Sequence, residues 1–224
     1  MVHQFDKSLA FSHAAEDLPF WEEVYRCAFP TMVAMANHRQ DGPHQRSGID
    51  RSILLANSKQ FLIDEKVRGR NRITGRVYED IALEFLSDEE RNQPGWVTKP
   101  LLADYIAYAI APLGRCYLLP VPQLQQAWTE NGERWRDEAR RLIRAPNLYH
   151  GRRWVTVSVG VTPRVLFHAM GQCLRVRFNP FEFEEDEEAA NGKVPGSPSG
   201  NPVANEVDLK NERFWEPDPE SGSC

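Results

Sequence analysis

The chain has 224 residues, enough for one domain with a proper core and a tail, and its composition, 41% hydrophobic and 26% charged, is that of a globular protein. No stretch approaches the roughly 18 apolar residues of a membrane span, the N-terminus lacks the basic start and apolar run of a signal peptide, and Cys27, Cys116, Cys173 and Cys224 are too scattered for a zinc ribbon or a disulfide framework. The expectation is a cytoplasmic protein with free thiols. The formal net charge of -5 hides a division: residues 181–224 hold 12 of the 32 acids and 3 of the 27 bases, so residues 1–180 carry 24 bases and 20 acids, a net of +4.

In chain order, Asp17 reads as the N-cap of a helix over residues 18–29, with Phe20, Val24 and Cys27 on one face and Pro30 as its stop. Residues 38–47 are polar and read as a loop. Residues 48–56 and 60–68 make a predicted hairpin about Asn57-Ser58-Lys59. Alternation sets Asp50, Ser52 and Leu54 on one face of its first strand. On the second, Leu62, Asp64 and Lys66 share a face, and Phe61, Ile63, Glu65 and Val67 share the other.

A third strand is predicted over 78–87, where Ile81, Leu83 and Phe85 alternate with Asp80, Ala82 and Glu84. Strands over 104–110 and 115–119 flank a turn, followed by helices over 122–128 and 133–144 and a strand over 154–161. Thr162 caps a helix that Pro163 begins and Met170 ends, and a short strand follows over 174–178. From Glu182 the composition changes to an acidic run and then a Gly/Pro/Ser/Asn segment over 191–202. Residues 1–181 are therefore read as one α/β domain and 182–224 as a disordered acidic tail.

The pattern that carries chemistry is Asp50, a turn, and then Asp64-Glu65-Lys66 on a strand. Two carboxylates hold a divalent cation, and a lysine beside them stabilises charge or poises a water. Charges in an otherwise apolar strand are costly unless they serve something, and position 67 is Val, so Glu65 is not the acid of an offset motif. Directly afterwards come Lys66, Arg68, Arg70, Arg72 and Arg76, five bases within eleven residues and no acid. A phosphate backbone would lie there. The bland alternatives stay open: a solvated hairpin with an ordinary Asp–Lys cross-pair, and a solvated basic loop. The 133–144 segment, with Arg134, Arg136, Arg140, Arg141 and Arg144, is a second basic surface whose acids at helical spacing also suit a salt-bridged face. No phosphate-binding glycine loop, dinucleotide fingerprint, serine-hydrolase elbow or zinc-protease motif occurs.

The order of helix, hairpin with Asp and then Asp-x-Lys, third strand and further elements resembles the PD-(D/E)XK nuclease superfamily, which includes restriction endonucleases and archaeal Holliday-junction resolvases. The resemblance spans about residues 18–128 in layout and three residues in motif. Ile49 stands where the family often has proline. It implies a central mixed sheet flanked by helices on a restriction-endonuclease-like αβββαβ core. It also implies a Mg2+-dependent (or Mn2+-dependent) endonuclease acting on the phosphodiester bonds of DNA, with RNA the alternative substrate. By position, Asp50 and Asp64 would be the metal ligands, Ile63 or Glu65 would offer a carbonyl, and Lys66 would position the water or stabilise the phosphate. A further acid would come from Glu84, or from Glu22 or Glu23 on the first helix. Arg68, Arg70, Arg72, Arg76 and Lys99 would hold phosphates without reading bases. A homodimer would supply two sites for paired cuts. Two rivals remain: a catalytically inactive protein of the same fold that binds nucleic acid or a protein partner, and a phage or mobile-element interaction protein acting through the acidic tail.

Overall fold

The computed structural model of the chain describes residues 3–4, 18–38, 47–71, 74–139, 142–171, 173–181 and 184–185. In chain order these form β1 (His3–Gln4), α1 (Phe20–Ala28), β2 (Met32–Asn37), β3 (Arg51–Leu55), β4 (Gln60–Arg68), β5 (Arg70–Asn71), β6 (Ile81–Asp88), β7 (Gln93–Pro94), β8 (Tyr105–Ile110), a 3-10 turn (Ala111–Leu113), β9 (Arg115–Pro120), α2 (Val121–Glu138), β10 (Ile143–Tyr149), β11 (Arg152–Val161), α3 (Pro163–Met170), β12 (Leu174–Arg177) and β13 (Glu184–Glu185). Among the described residues no helix is long and apolar enough to cross a membrane.

The fold is α/β, as expected, with a mixed central sheet in the order β12-β9-β8-β4-β3-β2. Its neighbours run antiparallel except β4 and β8, which are parallel with Asp64 opposite Ile106 and Lys66 opposite Tyr108. A second sheet, β1-β10-β11-β6-β7, packs nearby. The central strands are apolar on both faces because both are covered. On one face Ile106, Tyr108 and Ile110 of β8 share a core with Ile81, Leu83 and Phe85 of β6, with Val157, Val159 and Val161 of β11, and with Leu124 and Leu166 of the helices. On the other, Ala107 and Ala109 pack with Ile53, Ile63 and the α1 side chains Phe20, Trp21, Val24 and Tyr25.

The predicted hairpin forms with its turn in place: Leu55 N donates to Lys59 O at 2.8 Å, and Ser58 takes the left-handed conformation at φ 64°. The predicted third strand also forms, but in the second sheet, paired to β11 rather than lying beside β4. The neighbour of β4 is β8, more than 30 residues further along. Helix α1 starts later than expected, at a cap formed by Pro19 with helical φ and ψ; Asp17 lies outside the described residues. The two helices predicted over 122–128 and 133–144 are one helix, α2, and β10 occupies the end of the second. Strand β2 has no counterpart in the sequence reading, because Met32–Asn37 lacks both alternation and β-branched residues beyond Val33. The tail reading falls outside the described residues except at Glu184–Glu185, which pair parallel to Arg70–Asn71.

Candidate active site

Strand β3 begins only at Arg51, opposite Ile63, whereas β4 continues past that point to Arg68. Asp50 N donates to Ile63 O at 2.9 Å, the last backbone bond of that ladder. The next donor along the same edge, Glu65 N, is met by a side chain instead: it donates to Asp50 Oδ2 at 2.7 Å. Period-two alternation turns the Glu65 carbonyl towards the same edge. Asp50 therefore continues with its carboxylate the ladder its backbone leaves, and this fixes it beside β4.

Asp64 projects from β4 at this point and hydrogen-bonds both Lys66 and Asp50. Lys66 Nζ bonds Asp64 Oδ1 and lies 3.4 Å from Glu65 O. The Asp64 side chain is 4% exposed and that of Lys66 33%, so the pair runs from the core to an opening. Burial pushes the Asp64 carboxyl up to about 7, against the pull of Lys66 and with the Asp50 charge adding to the rise. Burial alone would lower Lys66, but the Asp64 and Asp50 charges outweigh it and hold the ammonium above the ordinary lysine value.

Glu84 faces this group from β6 across the gap between the sheets, not from the sheet that carries Asp64. Burial raises its carboxyl, while Lys66 and Lys99 on either side draw it down. Asp50, Asp64, Lys66, Glu84 and Lys99 are thus brought into one electrostatic neighbourhood. Gly48, with φ +68°, closes it from below: a side chain there would reach 3.3 Å from Leu101 and 3.6 Å from Asp64 Oδ2. Tyr108, next to Lys66 in register, ties the sheets together, its hydroxyl accepting from Ala82 N at 3.1 Å.

Other expected residues lie elsewhere. Glu22 is an exposed partner of Arg26 at 2.6 Å, and Glu22 and Glu23 both sit on α1, which packs against the opposite face of the sheet. That face belongs to Glu65, whose carboxylate accepts from Arg51 Nε at 2.6 Å and from the Tyr25 hydroxyl at 2.7 Å. Arg68 donates to Asp80 Oδ1 at 2.7 Å and lies over the Tyr78 ring, with Arg76 also over that ring. Arg70 donates to Gly75 O at 2.9 Å. These arginines shape their own loop as well as charging it, and Arg72 lies outside the described residues.

Among the described residues no group of three or more His, Cys, Asp or Glu side chains is arranged to hold a metal ion. Magnesium does not require one, since it keeps several waters and takes one or two carboxylates with substrate phosphate oxygens. Asp50, Asp64 and the Glu65 carbonyl are oxygen donors, the ligand type that Mg2+ and Mn2+ take. Sequence reasoning missed Gly48 as the wall of the site, and also Trp128 and Gly132, which line a neighbouring cleft. The +x+4 spacing of Trp128 and Gly132 on one helix was the available signal. No protein-family model, curated protein or solved structure matches this chain.

Proposed function

We propose that this chain is a Mg2+- or Mn2+-dependent nuclease that hydrolyses phosphodiester bonds in DNA. The observation that carries the reading is the meeting of Asp50, Asp64 and Lys66 just before β3 begins and where β4 runs on, with Asp50 Oδ2 anchored on Glu65 N. Charges so buried are costly, and a structural role would be served more cheaply by an apolar strand.

Asp50 and Asp64 would hold the ion, with the Glu65 carbonyl beside them and Glu84 facing them. The ion, when bound, supplies Lewis-acid polarisation of the phosphate and a more acidic water. Lys66, kept cationic by its acidic neighbours, stabilises the negative charge that develops on the phosphoryl oxygens. The Lys66 side chain, a third exposed at 33%, reaches from Asp64 towards the opening, where it would meet a phosphate. Lys99 adds positive charge on the Glu84 side, and the basic run after Lys66 supports phosphates without reading sequence. A homodimer would place two such sites for paired cuts, and the cytoplasm is the compartment that suits the free thiols.

The test is cleavage of plasmid and oligonucleotide DNA with Mg2+ or Mn2+, comparing wild type with Asp64→Ala and Lys66→Ala. Wild type cleaves, and each variant loses at least about a hundredfold, the scale of removing one group that stabilises developing charge. Equal activity in all three sinks the assignment. A wild type that takes up Mn2+ neither by calorimetry nor in cleavage would instead mark a catalytically inactive protein of this fold.

A further inference from the structure

The face of β4 turned to α1 carries Ile63 and Val67 in the apolar core and, between them, Glu65. The Glu65 carboxylate is met from two elements. Arg51, the first residue of β3, donates to it through two nitrogens, Nε to Oε1 at 2.6 Å and Nη2 to Oε2 at 3.2 Å. Tyr25 of α1 donates its hydroxyl to Oε1 at 2.7 Å, and the Arg51 guanidinium lies 6.0 Å from the centre of its ring. The Arg51 and Glu65 side chains are 7% and 2% exposed, and Tyr25 is fully buried. Burial pushes the Glu65 carboxyl up even against the pull of Arg51, so the pair stands where charge is costly. Apolar side chains often replace a buried ion pair with no loss of stability, and fixing register is the better-attested use of such a pair.

The bridge closes the open end of the hairpin. The β3–β4 ladder runs from Leu54 opposite Gln60, beside the turn, to Arg51 opposite Ile63, where the pairing stops. The Arg51 fork reaches diagonally from there to Glu65, in the stretch of β4 that β3 does not cover. The end of a ladder opens more readily than its middle. At this same end, on the other face, Asp50 and Asp64 meet. Alternation joins the two faces: Asp50 precedes Arg51, Asp64 precedes Glu65, and Asp50 Oδ2 accepts at 2.7 Å from the N–H of the residue whose carboxylate Arg51 grips.

We propose that Arg51, Glu65 and Tyr25 are positioning residues of the candidate active site: from the covered face of the sheet they hold the open end of the hairpin, and with it the spacing at which Asp50 and Asp64 take one divalent cation. This rests on the nuclease reading. None of the three side chains faces the site, so each acts through the backbone it holds. Outer partners of this kind orient the groups that bind the ion.

The test compares wild type with the apolar double replacement Arg51→Met/Glu65→Met and with Tyr25→Phe, each measured below its melting temperature. The double variant melts at or above the wild-type temperature, yet binds Mn2+ about tenfold more weakly by calorimetry and loses more in kcat than in KM. Tyr25→Phe moves Mn2+ affinity in the same direction by less. A role confined to stability moves melting alone, so wild-type Mn2+ affinity in the folded double variant overturns the proposal. Where the double variant does not fold, Tyr25→Phe decides, and unchanged Mn2+ affinity overturns it. Amide hydrogen exchange by NMR in EDTA, taken relative to an unfolded peptide of the same sequence, separates this outcome from the nuclease reading. The amide at position 65 exchanges about tenfold faster in the double variant, the scale of one lost hydrogen bond, while the Leu55 amide at the turn end keeps its rate. Equal protection at position 65 overturns the proposal whether or not the protein takes up metal. Faster exchange there in a protein that neither binds Mn2+ nor cleaves DNA supports the bracket and sinks the nuclease reading alone.

Discussion

Asp64 is a buried carboxyl that touches a cation on one side and another carboxyl on the other. Burial wins that contest, and the consequence is a stability that depends on pH with a definite sign. In the unfolded chain Asp64 titrates near its ordinary 3.8, and in the folded chain at about 7. Between these values the folded state holds a proton that the unfolded state has released, so raising the pH favours unfolding. Stability contributed by this group is fully present below about pH 4 and is lost as the pH rises to about 7, at a slope of up to about 1.4 kcal/mol per pH unit. Glu65 and Glu84 are also raised, chiefly by burial, and lean the same way, while Asp88, held down chiefly by its bond from Arg91, leans the other. The contribution of Asp64 is therefore isolated by difference. Asp64→Asn keeps an acceptor for Lys66 and supplies the donor that the protonated acid offers to Asp50. Urea denaturation in EDTA from pH 4 to 8 should find the variant gaining on wild type with each unit up to about pH 7. Parallel profiles would mean that Asp64 is ionised in the fold.

The start of β3 does for the site what no single residue does. Because the strand begins only at Arg51, Asp50 lies before its paired stretch, and its carboxylate takes the Glu65 N–H that a longer strand would have paired. One side chain thereby has a structural and a chemical duty, and two substitutions separate them. Asp50→Asn keeps an oxygen to accept from Glu65 N and should fold with near wild-type stability while losing Mn2+ uptake. Asp50→Ala leaves that N–H without its acceptor and should cost about 1–3 kcal/mol in addition. Denaturation curves and Mn2+ calorimetry on the two variants check this, and Mn2+ binding to Asp50→Asn at wild-type strength would remove Asp50 from the ligand set. The hairpin that carries these residues was legible because its signals are local: alternation in Phe61 to Val67 and a polar turn at Asn57-Ser58-Lys59. Its surroundings were not. The parallel pairing of β4 with β8 joins segments far apart in sequence, and nothing in the 81–88 strand says which sheet it will enter. The two helices expected over 122–128 and 133–144 run as one through Gly132, where a β-carbon would come within 2.8 Å of the Trp128 ring. Glu84 lies on the second sheet and faces Lys66 from there, a placement that depends on a pairing far apart in sequence.

At the scale of the whole molecule the sequence divides its charge, with a net of +4 over residues 1–180 and an excess of acid beyond them. That division is legible by counting. Where the acidic part goes is not, because like-signed segments carry no pairing code. Two of its acidic residues offer a direction: the backbone of Glu184–Glu185 runs parallel to Arg70–Asn71, inside the basic run that follows Lys66. Acid brought to that run would compete with phosphates for the same cations. Removing residues 182–224 should therefore strengthen binding to DNA, and the gain should be electrostatic in character. It should be largest near 50 mM salt and shrink towards about 200 mM, as screening and counterion release weaken every phosphate contact. Equilibrium binding of full-length and truncated chains to one duplex across that range measures both the gain and its slope. Metal-dependent cleavage should survive truncation, because Asp50, Asp64 and Lys66 lie within the retained part. Loss of all activity on truncation would instead make the tail the working surface, as in an interaction protein that mimics nucleic-acid charge. A truncated chain that binds no more tightly at low salt would show that the tail does not compete for the basic run.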